Sequence, residues 1–254
     1  MPPTSSAVRK RSWVEQVMGM PASLLLRGEG LDDVDEVVAA MYDELRRIDA
    51  MFSTYVESSE IVGLRSGRLR RSDVSPQVRV VLDLCARAQR VTDGFFDIDL
   101  PGGLDPSGLV KGWAIDRAMA VMTRLPDVDV CLNVGGDVAV RVLSDRPPFR
   151  AGIQDPYDAG RVLTVVPLAS GGLATSGTAA RGLHIVDPHT GRPAADLASL
   201  SVLAPSLMWA DVFATAAFGR GRNGLAWVGG LPAYEALAVH LDGTVETTSG
   251  WPSG

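Results

Sequence analysis

The chain changes its pattern of apolar residues near Pro126, and this change constrains the fold more than any other feature. Before that point, apolar residues recur at three- and four-residue spacing, which is the period of an amphipathic helix. After it, short runs of β-forming residues follow one another, separated by Gly, Pro or Asp. Because the strands do not alternate with helices, this order predicts an α+β fold with a largely antiparallel sheet packed with helices.

The same patterns place the individual elements. Ser75 and Pro76 are typical of the N-cap and first turn of a helix. Helices are predicted over 34–52, 75–94, 113–123 and 208–218. Strands are predicted over 14–27, 128–134, 138–143, 149–153, 162–168, 183–186, 200–204 and 234–241. We expect a single domain of two closely packed halves over 14–254, preceded by a disordered tail over 1–13.

Composition excludes several classes of function. The 254 residues are 46% hydrophobic, which is enough for a substantial core. Acidic residues number 30 against 24 basic ones and both are spread along the chain, so we expect no nucleic-acid partner. No segment has the roughly twenty apolar residues that span a bilayer. Residues 1–13 lack the apolar run of a secretory signal, and we therefore predict a cytoplasmic protein with no membrane segment.

One polar stretch leads into the helix predicted from Trp113. It contains 94–97 and 104–116, with Asp105, Gly108 and Lys111 in the second part. A glycine-bearing turn before a helix exposes backbone N–H groups, and a lysine adds a cation, so phosphate would fit here. The alternative is an ordinary helix start, with Asp105 as the cap and Lys111 in solvent.

A second polar stretch, 133–137, ends an apolar strand with two glycines and Asp137. Paired glycines let a backbone approach a ligand, but they also suit a plain turn between strands.

A third stretch places His184 in an apolar run, before a predicted tight turn over 187–191. His184 is a candidate general base, although a lone histidine is more often a structural residue.

The fourth stretch is an apolar helix with two oxygen-bearing side chains. Asp211 and Thr215 are four residues apart and therefore share one helix face. A carboxylate and a hydroxyl suit a hard cation such as Mg²⁺. The alternative is that Asp211 caps the helix and Thr215 bonds back to a backbone carbonyl.

Taken in order, these stretches resemble the ApbE family of FAD:protein FMN transferases, from about Met18 to Phe218. The similar segments are Met18-Gly19, 52–55, 95–97, 105–114, 133–137, 174–177, 184–191 and the helix with Asp211 and Thr215. The resemblance implies FAD contacts by Met18, Tyr55, Phe95, Phe96, Asp97, Asp105, Lys111, Ser176, Gly177 and Ile185. It also implies a Mg²⁺ site formed by the Gly108 carbonyl, Asp211 and Thr215, with His184 beside the reacting phosphate.

The activity implied by this resemblance is Mg²⁺-dependent transfer of the FMN half of FAD to a Thr or Ser hydroxyl of a partner protein, with release of AMP. Two alternatives stay open at this stage. An FAD pyrophosphatase would use water as the acceptor, and a non-catalytic protein would only bind FAD.

The sequence departs from the family pattern at Met20, at Pro106-Ser107 and at Trp113, and the segment over 97–105 is short.

Overall fold

The computed structural model describes residues 8–100, 102–143, 146–179, 182 and 185–252. Its centre is an eight-stranded sheet in the order β1-β2-β5-β6-β9-β12-β13-β14, with every neighbouring pair antiparallel. These strands are β1 (Lys10–Val17), β2 (Met20–Gly28), β5 (Val128–Val134), β6 (Asp137–Arg141), β9 (Ser170–Gly177), β12 (Leu197–Ala204), β13 (Glu235–His240) and β14 (Val245–Thr247).

Three two-stranded hairpins and a set of helices complete the described part of the chain. The hairpin strands are β3 (Asp99–Leu100), β4 (Gly103–Leu104), β7 (Phe149–Asp155), β8 (Asp158–Leu168), β10 (Val186–Asp187) and β11 (Arg192–Pro193). The helices are α1 (Asp35–Phe52), α2 (Glu60–Arg65), α3 (Pro76–Val91), α4 (Ser107–Val121), α5 (Leu207–Gly219) and α6 (Gly224–Gly229), with 3₁₀ turns at Met122–Arg124 and Gly221–Asn223.

The sheet is covered on both faces. Along β6, Ala139 packs into the main core with the helices, whereas Val138 and Val140 pack into a second core with residues of the β7–β8 hairpin such as Ile153. This alternation follows from the two-residue period of a strand. The predicted α+β class with a largely antiparallel sheet is therefore confirmed.

The helix signals are borne out in detail at α3. Pro76 is its first residue, and the Ser75 hydroxyl accepts a hydrogen bond from the Val78 N–H at 3.4 Å. The chain also contains no helix, among those described, that is both long and apolar enough to cross a bilayer.

Three sequence predictions need correction. The single strand predicted over 14–27 is a hairpin, because Met18 and Gly19 both adopt positive φ, +55° and +69°, and turn the chain between β1 and β2. Since β1 begins at Lys10, residues 10–13 belong to the sheet and not to the expected tail. The helix predicted from Trp113 begins at Ser107, because its early glycines hid the helical pattern.

The strand register collects several predicted site residues at one end of the sheet. The start of β6 pairs with the end of β5 through Asp137 and Val134. Val138 pairs with Leu173, so that Thr175 and Ser176 at the end of β9 lie beyond the start of β6 at the same end.

Candidate functional site

The site is built where α4 meets the start of α5. A Cβ atom on Gly112 would lie 2.6 Å from the Cα of Met208, so the two backbones touch at a distance that excludes a side chain. One turn further on, the Asp116 carboxylate accepts hydrogen bonds from the Ser206 hydroxyl at 2.7 Å and from the N–H groups of Leu207 and Met208 at 3.1 Å. Asp116 therefore caps α5 and fixes it against α4.

This contact brings one ammonium group between two buried carboxylates. Lys111 Nζ lies 2.6 Å from Asp137 Oδ2 and 3.5 Å from Asp211 Oδ1. The side chains of Asp137 and Asp211 are 2% and 5% exposed. The alternative in which Lys111 is solvated is therefore wrong, because its charge is held inside the site.

Burial strongly perturbs the electrostatics of Asp211. Burial raises the pKa of its carboxyl from 3.8 to about 7, and the Lys111 charge opposes this shift. Its Oδ2 atom is buried and has no hydrogen-bond partner in the described structure. A buried oxygen of this kind is costly unless a ligand satisfies it.

Thr215 lies one turn after Asp211 on α5, and its Oγ1 is 3.3 Å from the Ser176 hydroxyl at the end of β9. Asp211 lies inside α5, whose N-cap is Ser206. The alternative of Asp211 as a helix cap is therefore wrong. The buried and partly buried oxygens of Asp211, Thr215 and Ser176 form a polar group within an otherwise apolar layer.

This polar group fits a hard divalent cation. The unsatisfied Asp211 Oδ2 and the Thr215 hydroxyl are oxygen donors of the type that Mg²⁺ accepts, and Mg²⁺ keeps further positions for water and phosphate. No cluster of three or more His, Cys, Asp or Glu suited to a metal occurs in the described ranges. A cation here would therefore depend on donors such as the Thr215 hydroxyl, the carbonyl predicted at Gly108, and a bound substrate.

The two phenylalanines before α4 have different environments. Phe96 is buried, and its ring lies 3.3 Å from where a Cβ on Gly108 would stand. Phe95 is half-buried between the guanidinium of Arg220, 4.2 Å from its centroid, and the ring of His189, 4.5 Å away. Phe96 therefore packs onto the first turn of α4, while Phe95 is held between two side chains.

The acidic residues of this segment stabilise its turns. Asp97 accepts hydrogen bonds from the Gln89 side chain and from the Asp99 N–H, both at 2.9 Å. Asp105 accepts one from the Ser107 N–H at 3.0 Å at the start of α4. Asp105 therefore stabilises the turn before α4, but the N-cap of α4 is Pro106 and has no side-chain hydrogen bond, so the predicted capping by Asp105 is not observed. The short segment contains the β3–β4 hairpin.

Two predicted flavin contacts lie at the periphery of the described site. Tyr55 is 94% exposed in the turn after α1. Met18 lies in the β1–β2 turn, where its N–H donates to Asp49 Oδ2 at 3.1 Å. The Tyr55 side chain is therefore open to a ligand, whereas the Met18 side chain is partly buried and packs against the main core.

The predicted general base, His184, lies outside the described residues, and its role stays a prediction. The turn that follows it is as expected. Asp187 Oδ1 accepts a hydrogen bond from the His189 N–H at 2.9 Å, and Oδ2 accepts one from the Thr190 hydroxyl at 3.0 Å.

Ile185 is half-buried, and its carbonyl accepts a hydrogen bond from the Ala194 N–H at 2.8 Å. Gly177 packs against Ala198, whose carbonyl oxygen would lie 2.8 Å from a Cβ at 177.

Sequence reasoning missed two carboxylates. Asp137 received no role, although it follows the paired glycines that the sequence singled out. Those glycines form the predicted turn, and a Cβ on Gly135 would collide with the Met20 sulfur, so the turn packs tightly against β2. Asp116 was also missed. Ser206 before an apolar run was a cap signal, but nothing in the sequence indicated that its carboxylate partner lies on another helix.

Comparisons with known proteins give the family and the fold of the chain. The sequence pattern of the ApbE family matches residues 18–102 and 100–238. An FAD:protein FMN transferase from Rhodobacter capsulatus is 37% identical over 121 residues, which is 44% of this chain and 23% of that protein. One from Treponema pallidum is 29% identical over 167 residues, 58% of this chain and 46% of that protein. The chain thus spans less than half the length of these curated relatives.

Solved structures show the same fold. The ApbE protein of Thermotoga maritima superimposes with a TM-score of 0.85 at 20% identity, covering 95% of this chain and 97% of that one. The flavin transferase ApbE of Vibrio cholerae gives 0.80 at 21% identity, with 95% and 97% covered. Because the family pattern covers most of the sequence and the fold agrees over nearly its whole length, the chain belongs to the ApbE family.

Proposed function

We propose that this protein transfers the FMN half of FAD to a Thr or Ser hydroxyl of a partner protein, with release of AMP. The observation that carries this proposal is the Asp211 carboxylate, which is buried, faces Lys111 and has an oxygen without a hydrogen-bond partner in the described ranges. A protein that only stored FAD would have no need for such a costly group. The names of the matching relatives support the same reaction.

In this reaction the acceptor oxygen forms a bond to the FMN-side phosphorus of FAD. The bond from that phosphorus to the bridging oxygen breaks, AMP leaves with the electron pair, and the acceptor proton passes to a base. Such transfers depend on positioning and charge neutralisation. Bound Mg²⁺ would supply Lewis-acid neutralisation of the pyrophosphate, held by Asp211, Thr215 and the Gly108 carbonyl.

The chain's own residues have distinct roles in this proposal. Lys111 contributes a second positive charge next to the phosphates, fixed by its carboxylate partners. The half-buried side chains of Phe95 and Ile185 provide apolar contacts for the flavin or adenine, while the buried Phe96 supports the first turn of α4. His184 accepts the acceptor proton, so His184→Ala should slow transfer by roughly 10²- to 10⁴-fold while FAD binding is kept.

The test is to incubate the purified protein with FAD and Mg²⁺, with and without an acceptor protein bearing a Thr or Ser flavinylation motif. AMP release and covalent flavin on the acceptor are both followed by mass. Acceptor-dependent AMP release that stops on chelation is the expected result. FMN release without acceptor would instead identify a pyrophosphatase, and FAD binding without AMP would identify a binding protein.

Two variants distinguish loss of the proposed Mg²⁺ site from the loss of any carboxylate charge. Asp211→Asn keeps the shape of the side chain but removes its charge, and it should abolish the Mg²⁺ response. Glu29→Gln removes an exposed carboxylate in the turn after β2 and serves as the matched control. If the wild type and Asp211→Asn transferred FMN at equal rates, the proposed Mg²⁺ site at Asp211 would be ruled out.

A further inference from the structure

We infer that Asp137 is a positioning residue, which holds the Lys111 ammonium to one side so that Asp211 can bind a divalent cation while Lys111 is still in the site. This inference rests on the proposed function, because it assigns a role to a residue beside the proposed metal group. It concerns a carboxylate that touches neither the flavin nor the metal in that proposal.

The first support is the rigid attachment of Asp137. Its Oδ1 accepts a hydrogen bond from the Thr175 N–H at 3.1 Å, across the β6–β9 pairing. The side chain is 2% exposed, and its Oδ2 faces Lys111 Nζ at 2.6 Å. With one oxygen bound to a sheet backbone, this carboxylate cannot follow Lys111 toward α5.

The second support is the unequal sharing of the ammonium group. Lys111 Nζ is 2.6 Å from Asp137 but 3.5 Å from Asp211. The shorter distance is that of a close ion pair, while the longer one lies beyond ordinary hydrogen-bond length. Lys111 Nζ therefore lies nearer to Asp137 than to Asp211. The Oδ2 atoms of both carboxylates are buried and make no hydrogen bond in the described structure, and in Asp211 this oxygen is not the one nearest to the ammonium.

The third support is the charge balance. If Lys111 faced Asp211 alone, the two would form a neutral buried pair, and a divalent cation would have to compete with the ammonium for one carboxylate. With Asp137 present and both carboxylates ionised, two negative charges face one ammonium, and these three side chains together carry a net negative charge that attracts a cation. Because the site is buried, such charge effects are screened far less than on the surface.

Asp137 could in principle serve only to bond the Thr175 N–H. The variant Asp137→Asn separates the two roles, because its amide oxygen can still accept that hydrogen bond while the negative charge is lost. If the charge is what matters, removing the opposing charge of Lys111 in the same molecule should restore metal binding. A purely structural defect would not be rescued in this way.

The experiment measures Mn²⁺ binding to the full chain by electron paramagnetic resonance, with and without FAD, and the melting temperature without metal. The variants are Asp137→Asn, Lys111→Met and the double variant. Asp137→Asn should weaken Mn²⁺ binding at least tenfold. The double variant should return to within about threefold of Lys111→Met, since charges this close couple strongly. Asp155→Asn is the control, because Asp155 is also a 2% exposed carboxylate bound to a backbone N–H and an arginine, but on β7.

The outcomes are distinguishable. Wild-type Mn²⁺ affinity in Asp137→Asn would overturn the inference and leave the proposed function intact, as would a double variant that binds as weakly as Asp137→Asn. Absence of Mn²⁺ binding to the wild-type protein, with FAD present, would overturn the proposed metal group and this inference together. Weakening by Asp137→Asn with rescue in the double variant supports it.

Discussion

His189 packs edge-on against Phe95, with ring centroids 4.5 Å apart, and its Nε2 lies 3.0 Å from the carbonyl oxygen of Asp93. The turn after Ile185 is thereby joined to the turn that carries Phe95. Two segments proposed to contact FAD are thus held together by one histidine side chain.

We predict that His189→Ala weakens FAD binding, because it releases the turn that carries Phe95. An aromatic pair of this geometry contributes about 0.5–1.5 kcal/mol, which corresponds to roughly a two- to twelvefold change in Kd. FAD titration followed by flavin fluorescence measures the change. His240→Ala is the control, because His240 bonds Glu246 on the far strands of the sheet. Equal FAD affinity in both variants would contradict the role of His189.

The cap of α5 should matter for stability. Asp116→Ala removes the acceptor for Ser206, Leu207 and Met208 at once, and we expect it to lower the free energy of unfolding by about 1–3 kcal/mol. Urea unfolding measures the loss. Asp83→Ala on α3, which breaks only an exposed pair with Arg71, should change stability by less than about 1 kcal/mol. Similar losses in the two variants would argue against the cap.

Gly112→Ala tests the contact between the two helices. The new Cβ would meet the Met208 backbone at 2.6 Å, so we expect α4 and α5 to separate at a cost of about 1–3 kcal/mol. Metal binding should weaken as well, because Lys111 and Asp211 lie on these two helices. Gly30→Ala has no atom nearer than 4.0 Å to its new Cβ and is the matched control.

Asp211 gives a pH dependence of defined sign. Because burial raises the pKa of Asp211 to about 7 in the folded protein, against 3.8 ordinarily, folding favours its neutral form. Its contribution to stability is therefore complete below about pH 4 and is lost as the pH rises through about 7. We expect the melting temperature of the metal-free protein to fall as the pH rises over this range, and that of Asp211→Asn to fall by less.

Magnesium should reverse that loss. Binding requires the ionised carboxylate, so added Mg²⁺ should raise the melting temperature more at pH 8 than at pH 6. Asp211→Asn and Thr215→Val should both reduce the Mg²⁺ effect, whereas Glu29→Gln should not. A Mg²⁺ effect that is independent of pH would contradict the role assigned to Asp211.

Much of the fold could be predicted because its signals are local. The cap at Ser75 and Pro76 and the strand over 128–134 depend on a few neighbouring residues, and the structure has both. β9 was not predicted, because its Ser and Gly residues lack the β-branched pattern and are held in place by β6 and β12. The tight packing of that layer, which requires Gly172 beside Leu207, is a tertiary property.

The site was predictable in its parts but not in its connections. The four-residue spacing of Asp211 and Thr215 placed both on one helix face, as the structure confirms. No residue near Lys111 in the sequence predicted its ion pair with Asp137, because this pair depends on how α4 packs across the sheet. Long-range ion pairs of this kind require the packed structure.

The chain has two lysines, and one is exposed at the start of β1 while the other is Lys111. Because nearly all other positive charge is carried by arginine, isotope labelling of lysine alone would give a nuclear magnetic resonance spectrum with two side-chain signals. One would report bulk solvent and the other the interior of the proposed metal group. Cation entry and FAD binding could then be followed atom by atom in the intact protein, without any substitution at the site.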